Sequence, residues 1–277
     1  RPAELSVTEV ETFLRDPYAI YARHLLTLRK LDEPGAPIGP REVGTLLHAV
    51  FERAAKDPVA PSLDRLRRML DEEAPRAGLA GAERAFWSAA LEEALFWFAA
   101  FDAGQRRRAT PFVEQTGAMT FTAPGGAFTL KARADRIDVT PEGEAEIIDF
   151  KTGGPPTEKV DKHFSPQLAL TGAILEAGGF PAISKARLAA YRYERVTNRK
   201  ESDAVNAFFR EGEDARSASA EAARKLKEWI ARFDDPDAIY RSKPRPQFVL
   251  REGDYDQLAR RREWMANEDS DGDGGGE

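Results

Sequence analysis

Three strand-length runs follow one another between Phe112 and Thr152, separated by nothing longer than a turn. Phe112 to Thr122 ends in Ala123-Pro124-Gly125-Gly126, Phe128 to Val139 ends in Thr140-Pro141-Glu142-Gly143, and Glu144 to Thr152 closes the series. Proline and glycine at these points reverse the chain. Such short links leave no room for a crossover, so the three runs can pair only as an antiparallel meander. Helical periodicity surrounds it. Ser6 with Glu9 forms a capping box, and Asp16-Pro17 supplies a second helix start. Helices are expected at Arg41 to Lys56, Ser62 to Glu73 and Ala82 to Phe101, with the aromatic load of the last (Phe86, Trp87, Phe96, Trp97, Phe98, Phe101) in the core. Beyond the meander come a helix from Pro166 to Ala177, a strand from Lys185 to Val196, and helices at Asp214 to Phe233 and Tyr255 to Ala266.

The expectation is an α/β fold, a small mixed sheet flanked by helices with helical N-terminal and C-terminal additions. One domain is expected over 1–266: a helical part at 1–110, a catalytic sheet core at 111–200 and C-terminal helices at 201–266. The acidic, glycine-rich stretch 267–277 reads as a disordered tail. It carries five of the 47 acidic residues. The 42 that remain stand against 41 basic ones, so the net charge of −6 says nothing against a nucleic-acid partner. There is no cysteine, hence no disulfide, thiolate zinc site or iron–sulfur cluster in this stretch of chain. No apolar run is long enough to span a membrane, so no membrane partner and a cytoplasmic location are expected. Arg1 in place of methionine suggests a longer native chain.

The chemistry gathers on the second and third strands. Alternation puts Asp149 and Lys151 on one face, Ile148 and Phe150 on the other. On the preceding strand Lys131, Arg133 and Asp135 share a face. Depending on the turn, Asp135 lies opposite Ile148 or Asp149, which brings two carboxylates close enough to destabilise each other unless something neutralises them. A divalent cation with oxygen ligands is the economical answer. His48 borders the buried stripe of its helix, one turn after Gly44, whose lack of a side chain suggests a close approach there.

Together, Gly44-Thr45-Leu46-Leu47-His48, Ala134-Asp135-Arg136-Ile137-Asp138, Ile148-Asp149-Phe150-Lys151-Thr152-Gly153 and Gln167-Leu168-Ala169-Leu170 resemble the PD-(D/E)XK nucleases of the RecB type, and within them the C-terminal nuclease domains of AddB proteins. The resemblance implies a metal-dependent DNA nuclease of exonuclease type that repairs double-strand breaks in a helicase–nuclease complex. It implies metal ligands at His48, Asp135, Asp149 and the Phe150 carbonyl, and catalytic roles for Lys151, Asp135, Asp149 and Gln167. The cofactor would be Mg²⁺ or Mn²⁺. The partners would be single-stranded DNA or broken duplex ends and an AddA-like helicase–nuclease subunit. Two departures stand out: Thr171 occupies the place where a tyrosine often follows the glutamine, and Asp16-Pro17 stands about where a cluster-binding cysteine precedes proline. Without cysteines, packing and ion pairs must hold the two ends of the chain together. Lys131, Arg133 and Arg136 are candidate DNA contacts, as are Arg106-Arg107-Arg108 and the segment from Arg241 to Arg245, and Tyr191 and Tyr193 are candidates for base stacking. The competing reading is a catalytically inactive nuclease-like module that binds DNA or docks a helicase. No Gly-x-x-x-x-Gly-Lys-Ser/Thr loop occurs, so unwinding would have to come from elsewhere.

Overall fold

The computed structural model describes residues 1–31, 38–153, 166–196, 204–206, 214–244, 253–261 and 263. Strand β1 (Glu4–Ser6) leads into α1 (Val7–Arg15) and α2 (Pro17–Ile20), which a π-helical turn (Tyr21–Leu25) extends. Then come α3 (Pro40–Ala55), α4 (Leu63–Glu73) and α5 (Gly81–Arg106). The meander is β2 (Thr110–Ala123), β3 (Gly126–Val139) and β4 (Glu144–Lys151), followed by α6 (Gln167–Glu176), β5 (Arg187–Arg195), β6 (Ala204–Asn206) and α7 (Ala215–Arg232).

The helix starts follow their caps. The Ser6 hydroxyl accepts from the Glu9 N–H at 3.2 Å, and the Glu9 carboxylate accepts from the Ser6 N–H at 2.9 Å. Burial opposes the Glu9 charge, but the Ser6 hydrogen bonds and His24, whose Nε2 is 2.9 Å away, outweigh it and hold the carboxyl below its ordinary range. Glu9 therefore contributes stability that is complete above the usual carboxylate pKa and is lost as pH falls through the depressed one. Glu9→Gln is expected to cost roughly 1 kcal/mol at neutral pH and to flatten the acid limb of the stability curve. Urea midpoints between pH 3 and 7 check this; parallel curves for the two proteins would contradict it.

Among the described residues six strands form one sheet. Antiparallel pairing with β2 occupies one edge of β3 along its whole length, from Thr110–Val139 to Ala123–Gly126. The other edge is shared: β1 pairs in parallel with Thr129–Lys131, and β4 pairs antiparallel with Arg136–Val139. β3 thus forks between two partners, and the fork falls at Ala132 to Asp135. β5 lies parallel to β4, with α6 between them in sequence, and β6 pairs antiparallel with β5.

Each face of the sheet has its own core. Phe128, Leu130, Ala132, Ala134, Ile137 and Ile147 pack with α1, α6 and α7, while Val113, Ile148 and Phe150 pack with α3, α4 and α5. Strict alternation cannot put both Ala134 and Ile137 on one face, so β3 changes phase between them. β2 changes phase at the same level: Val113 joins the second core while Phe112 packs against the first, and Gly117 faces Phe180 of the first. Between the Gln115–Ala134 and Val113–Arg136 pairs lie Glu114 and Asp135, and Glu114 takes a left-handed φ of 51°. The two carboxylates sit where the hairpin switches faces.

Three expectations are corrected. α5 runs five residues past Phe101, and its last turns bury Asp102 and Gln105. Its aromatic residues are not all core, for Phe86 and Phe96 are 78% and 68% exposed. Of the helix expected over Tyr255 to Ala266, residues 255–260 are turns and only Arg261 and Glu263 are helical; Arg262, 264–266 and the tail 267–277 lie outside the described residues. Near there the two ends of the chain meet. The Asp16 carboxylate accepts from the Lys243 N–H at 3.3 Å, Lys243 Nζ pairs with Asp256 at 2.5 Å, and the Tyr255 hydroxyl donates to the Leu28 carbonyl at 2.8 Å. Among the described residues no helix is long and apolar enough to cross a membrane.

Candidate active site

The fork in β3 builds the site. Where β4 parts from β3, the side chain of Asp135 replaces the ladder: its Oδ2 accepts the Phe150 N–H at 2.9 Å. Its Oδ1 lies 3.5 Å from His48 Nδ1. His48 Nε2 donates to the Phe150 carbonyl at 3.0 Å, so one imidazole bridges the carboxylate and the strand end. Gly44 makes this reach possible. A Cβ there would stand 2.9 Å from Thr152 Oγ1, so the glycine lets α3 lie against the end of β4, and His48 follows one helical turn later. Gly44→Ala is expected to push α3 off β4 and lower any activity about tenfold or more while the chain stays folded. Equal activity at equal melting temperature would defeat this.

Ligand atoms of His48, Glu114 and Asp135 lie within 4.8 Å of one another. Glu114 was not among the residues singled out from sequence. Its signal would have been a carboxylate opposite Asp135 in a hairpin of known register, but the left-handed residue that turns it inward has no local signature. Asp149 stands beside this trio with both oxygens engaged: Oδ1 accepts from Gln167 Nε2 at 2.7 Å, and Oδ2 pairs with Lys151 Nζ at 2.6 Å. Gln167 begins α6, where the Thr171 hydroxyl donates to its carbonyl at 2.8 Å.

Residues 4–245 match the family model of the PD-(D/E)XK nuclease superfamily. The chain belongs to that superfamily. Its members are nucleases, hydrolases of phosphodiester bonds. The chain is also similar to the uncharacterized protein RC0550 of Rickettsia conorii, 28% identical over 191 residues, covering 65% of this chain and 23% of that one. An uncharacterized protein of Rickettsia felis matches at 28% over 191 residues, covering 65% and 22%. The chain thus spans under a quarter of the length of these relatives. The crystal structure of SSO0001 overlaps 79% of this chain and 86% of its own at 14% identity, with a TM-score of 0.29.

Superfamily nucleases typically work with a divalent metal, and this donor set suits one. One imidazole nitrogen and carboxylate oxygens converge, with the Phe150 carbonyl adjacent, a mixture that hard divalent cations accept. The electrostatics point the same way. Burial, helped by Asp135 and opposed by Lys151, pushes the Asp149 carboxyl up to about 6. Burial also raises Glu114, opposed by Arg133 and reinforced by Asp135 and Glu52. For His48 burial works against the charged ring, but Asp135, Asp149 and Glu114 together raise its pKa. Negative charge is in excess here, and a cation relieves it. Lys151 is held charged, since Asp149 outweighs the cost of its burial.

The surrounding cations sort themselves. Lys131 and Arg133 stay at the surface, paired with Glu4 at 2.7 Å and with Glu114 and Glu52. The reading of Arg136 as a DNA contact is corrected: its side chain is 0% exposed and donates to Asp102 at 2.6 Å and Asp138 at 2.7 Å beneath α5. Asp138 belongs to this buried network, where Gln105 Nε2 also donates to it at 2.9 Å. Tyr191 and Tyr193 are buried and have no face for a base. Arg106 is committed to Asp102 and the Ala55 carbonyl, and Lys243 to Asp256, while Arg245 lies outside the described residues.

Proposed function

We propose that this chain is a divalent-metal-dependent DNA nuclease of exonuclease type, acting on single-stranded DNA or broken duplex ends. The observation that carries this reading is the convergence of His48, Glu114 and Asp135 next to the Asp149–Lys151 pair at the end of β4. His48, Glu114 and Asp135 would hold Mg²⁺ or Mn²⁺, with the Asp149 carboxylate beside them, while the Phe150 carbonyl accepts from His48 Nε2 and fixes the ring. What the cation supplies when bound is polarisation of the phosphoryl oxygen and a more acidic water. Lys151, as an ammonium, donates to a phosphate oxygen or orients the attacking water, and stabilises charge that grows in the transition state. Gln167 keeps the Asp149 carboxylate turned toward the site. Lys131 and Arg133, exposed on the same hairpin, contribute sequence-independent attraction for the backbone.

The setting in break repair, with an AddA-like helicase–nuclease subunit, rests on the resemblance to AddB nuclease domains. The test is degradation of labelled single-stranded DNA with Mg²⁺ or Mn²⁺, beside Asp149→Ala and Lys151→Ala. Metal-dependent cleavage that disappears in both variants supports the reading. A parent chain that neither cleaves nor binds Mn²⁺ sinks it in favour of an inactive docking module.

A further inference from the structure

The parallel register of β4 and β5 sets Asp149 beside Tyr193 and Lys151 beside Arg195. Paired residues share a face of the sheet, so Asp149, Lys151 and Tyr193 leave it on the same side. The long Lys151 stem leans back along the strand. Its Nζ stands 5.5 Å from the centre of the Tyr193 ring and 2.6 Å from Asp149 Oδ2. Tyr193 is 1% exposed and packs in the core with α6 and α7, which fixes the plane of its ring.

These two holders of the ammonium differ in kind. Asp149 has rival claims, since Gln167 already takes its other oxygen and any cation in the site competes for its charge. The face of a phenol ring attracts an ammonium through its quadrupole, most strongly where water is excluded, yet it is no ligand for a hard cation. We propose that Tyr193 is a positioning residue whose ring holds the Lys151 ammonium at the site when Asp149 turns to other partners. The inference rests on the reading of Lys151 as the catalytic cation. It requires the ring and not the hydroxyl.

The test compares Tyr193→Phe with Tyr193→Leu, and Tyr193→Met serves in place of the leucine chain should that not fold. In protein carrying lysine labelled with ¹³C at Cε, the Lys151 signal is assigned by its loss in Lys151→Arg. Ring-current shielding should move its Hε protons upfield in the parent and in Tyr193→Phe, and release them in Tyr193→Leu. In the metal-dependent cleavage of single-stranded DNA, Tyr193→Leu should lose about tenfold or more in kcat with KM held, and Tyr193→Phe should recover all but about threefold. A parent Lys151 signal at the position of the other lysines overturns the proposal, and so does a phenylalanine variant as impaired as the leucine one. A parent chain with no metal-dependent cleavage sinks the nuclease reading instead, and the Hε shifts still decide whether the ammonium rests on the ring.

Discussion

Asp135→Asn is expected to abolish tight Mn²⁺ binding and to lower cleavage on the order of 10³-fold, with the fold kept. An amide oxygen can still accept the Phe150 N–H that Asp135 Oδ2 accepts at 2.9 Å, so the fork between β3 and β4 loses no hydrogen bond. What goes is the charge. His48 gives up the carboxylate 3.5 Å from its Nδ1, and the trio that converges within 4.8 Å keeps a single carboxylate, that of Glu114. Hard divalent cations bind through the number and charge of their oxygen ligands, and a neutral amide in place of an anion weakens both the ion and its grip on phosphate. Calorimetric titration with Mn²⁺, together with melting temperatures with and without the metal, measures the effect. An asparagine variant with parental Mn²⁺ affinity would show that the cation site lies elsewhere.

The largest stability effect should come from Asp102→Ala, in the last turns of α5. Asp102 is fully buried and holds two guanidinium groups: Arg136 at 2.6 Å and Arg106 at 2.7 Å. Arg136 is equally buried, and its guanidinium carbon stands 5.3 Å from the Phe101 ring centre. Asp138 would remain with it at 2.7 Å, but one carboxylate cannot satisfy a buried guanidinium that already has an unbonded NH2 group. Removing one partner of such a pair strands a charge in a dry interior, and the expected loss is roughly 3–5 kcal/mol. Arg67→Ala is the control. Arg67 pairs with Asp64 at 2.9 Å and with Glu92, all largely exposed, and its loss should leave the urea midpoint close to the parental one. Urea unfolding of the three proteins separates the two cases; equal midpoints would mean that the network under α5 carries no stability. Because Arg136 is the immediate neighbour of Asp135, a softened network should also loosen the fork.

How much of this was legible beforehand differs from element to element. The caps at Ser6 and Asp16 were readable because a capping side chain answers to N–H groups two or three residues on. The meander was readable because a four-residue turn with proline and glycine reverses the chain whatever surrounds it. Strand parity correctly joined Asp149 to Lys151. The DNA-contact reading of Arg136 rested on its charge, not on parity, which sets it with Leu130, Ala132 and Ala134; it failed because Asp102 and Asp138 give the guanidinium buried partners. Parity gave no account of Glu114, which faces His48 only because the hairpin switches faces there. The aromatic run of α5 misled for a related reason. Helical spacing says which residues share a stripe, not how wide a stripe the sheet beneath will cover, and Phe86 and Phe96 fall outside it.

By itself, then, the order of residues determined the helix starts, the meander, the lack of cysteine and the placing of Asp149 and Lys151 on one face, since each follows from interactions within a few residues or from composition; His48 and Asp135 were singled out through the resemblance to known nucleases. Tertiary structure decided which carboxylates converge. β3 must serve β1 along one half and β4 along the other, and a strand with two partners on one edge has to twist between them. That twist turns Glu114 and Asp135 toward His48 and sends Arg136 under α5. The requirement arises from where distant segments lie, and no local period encodes it.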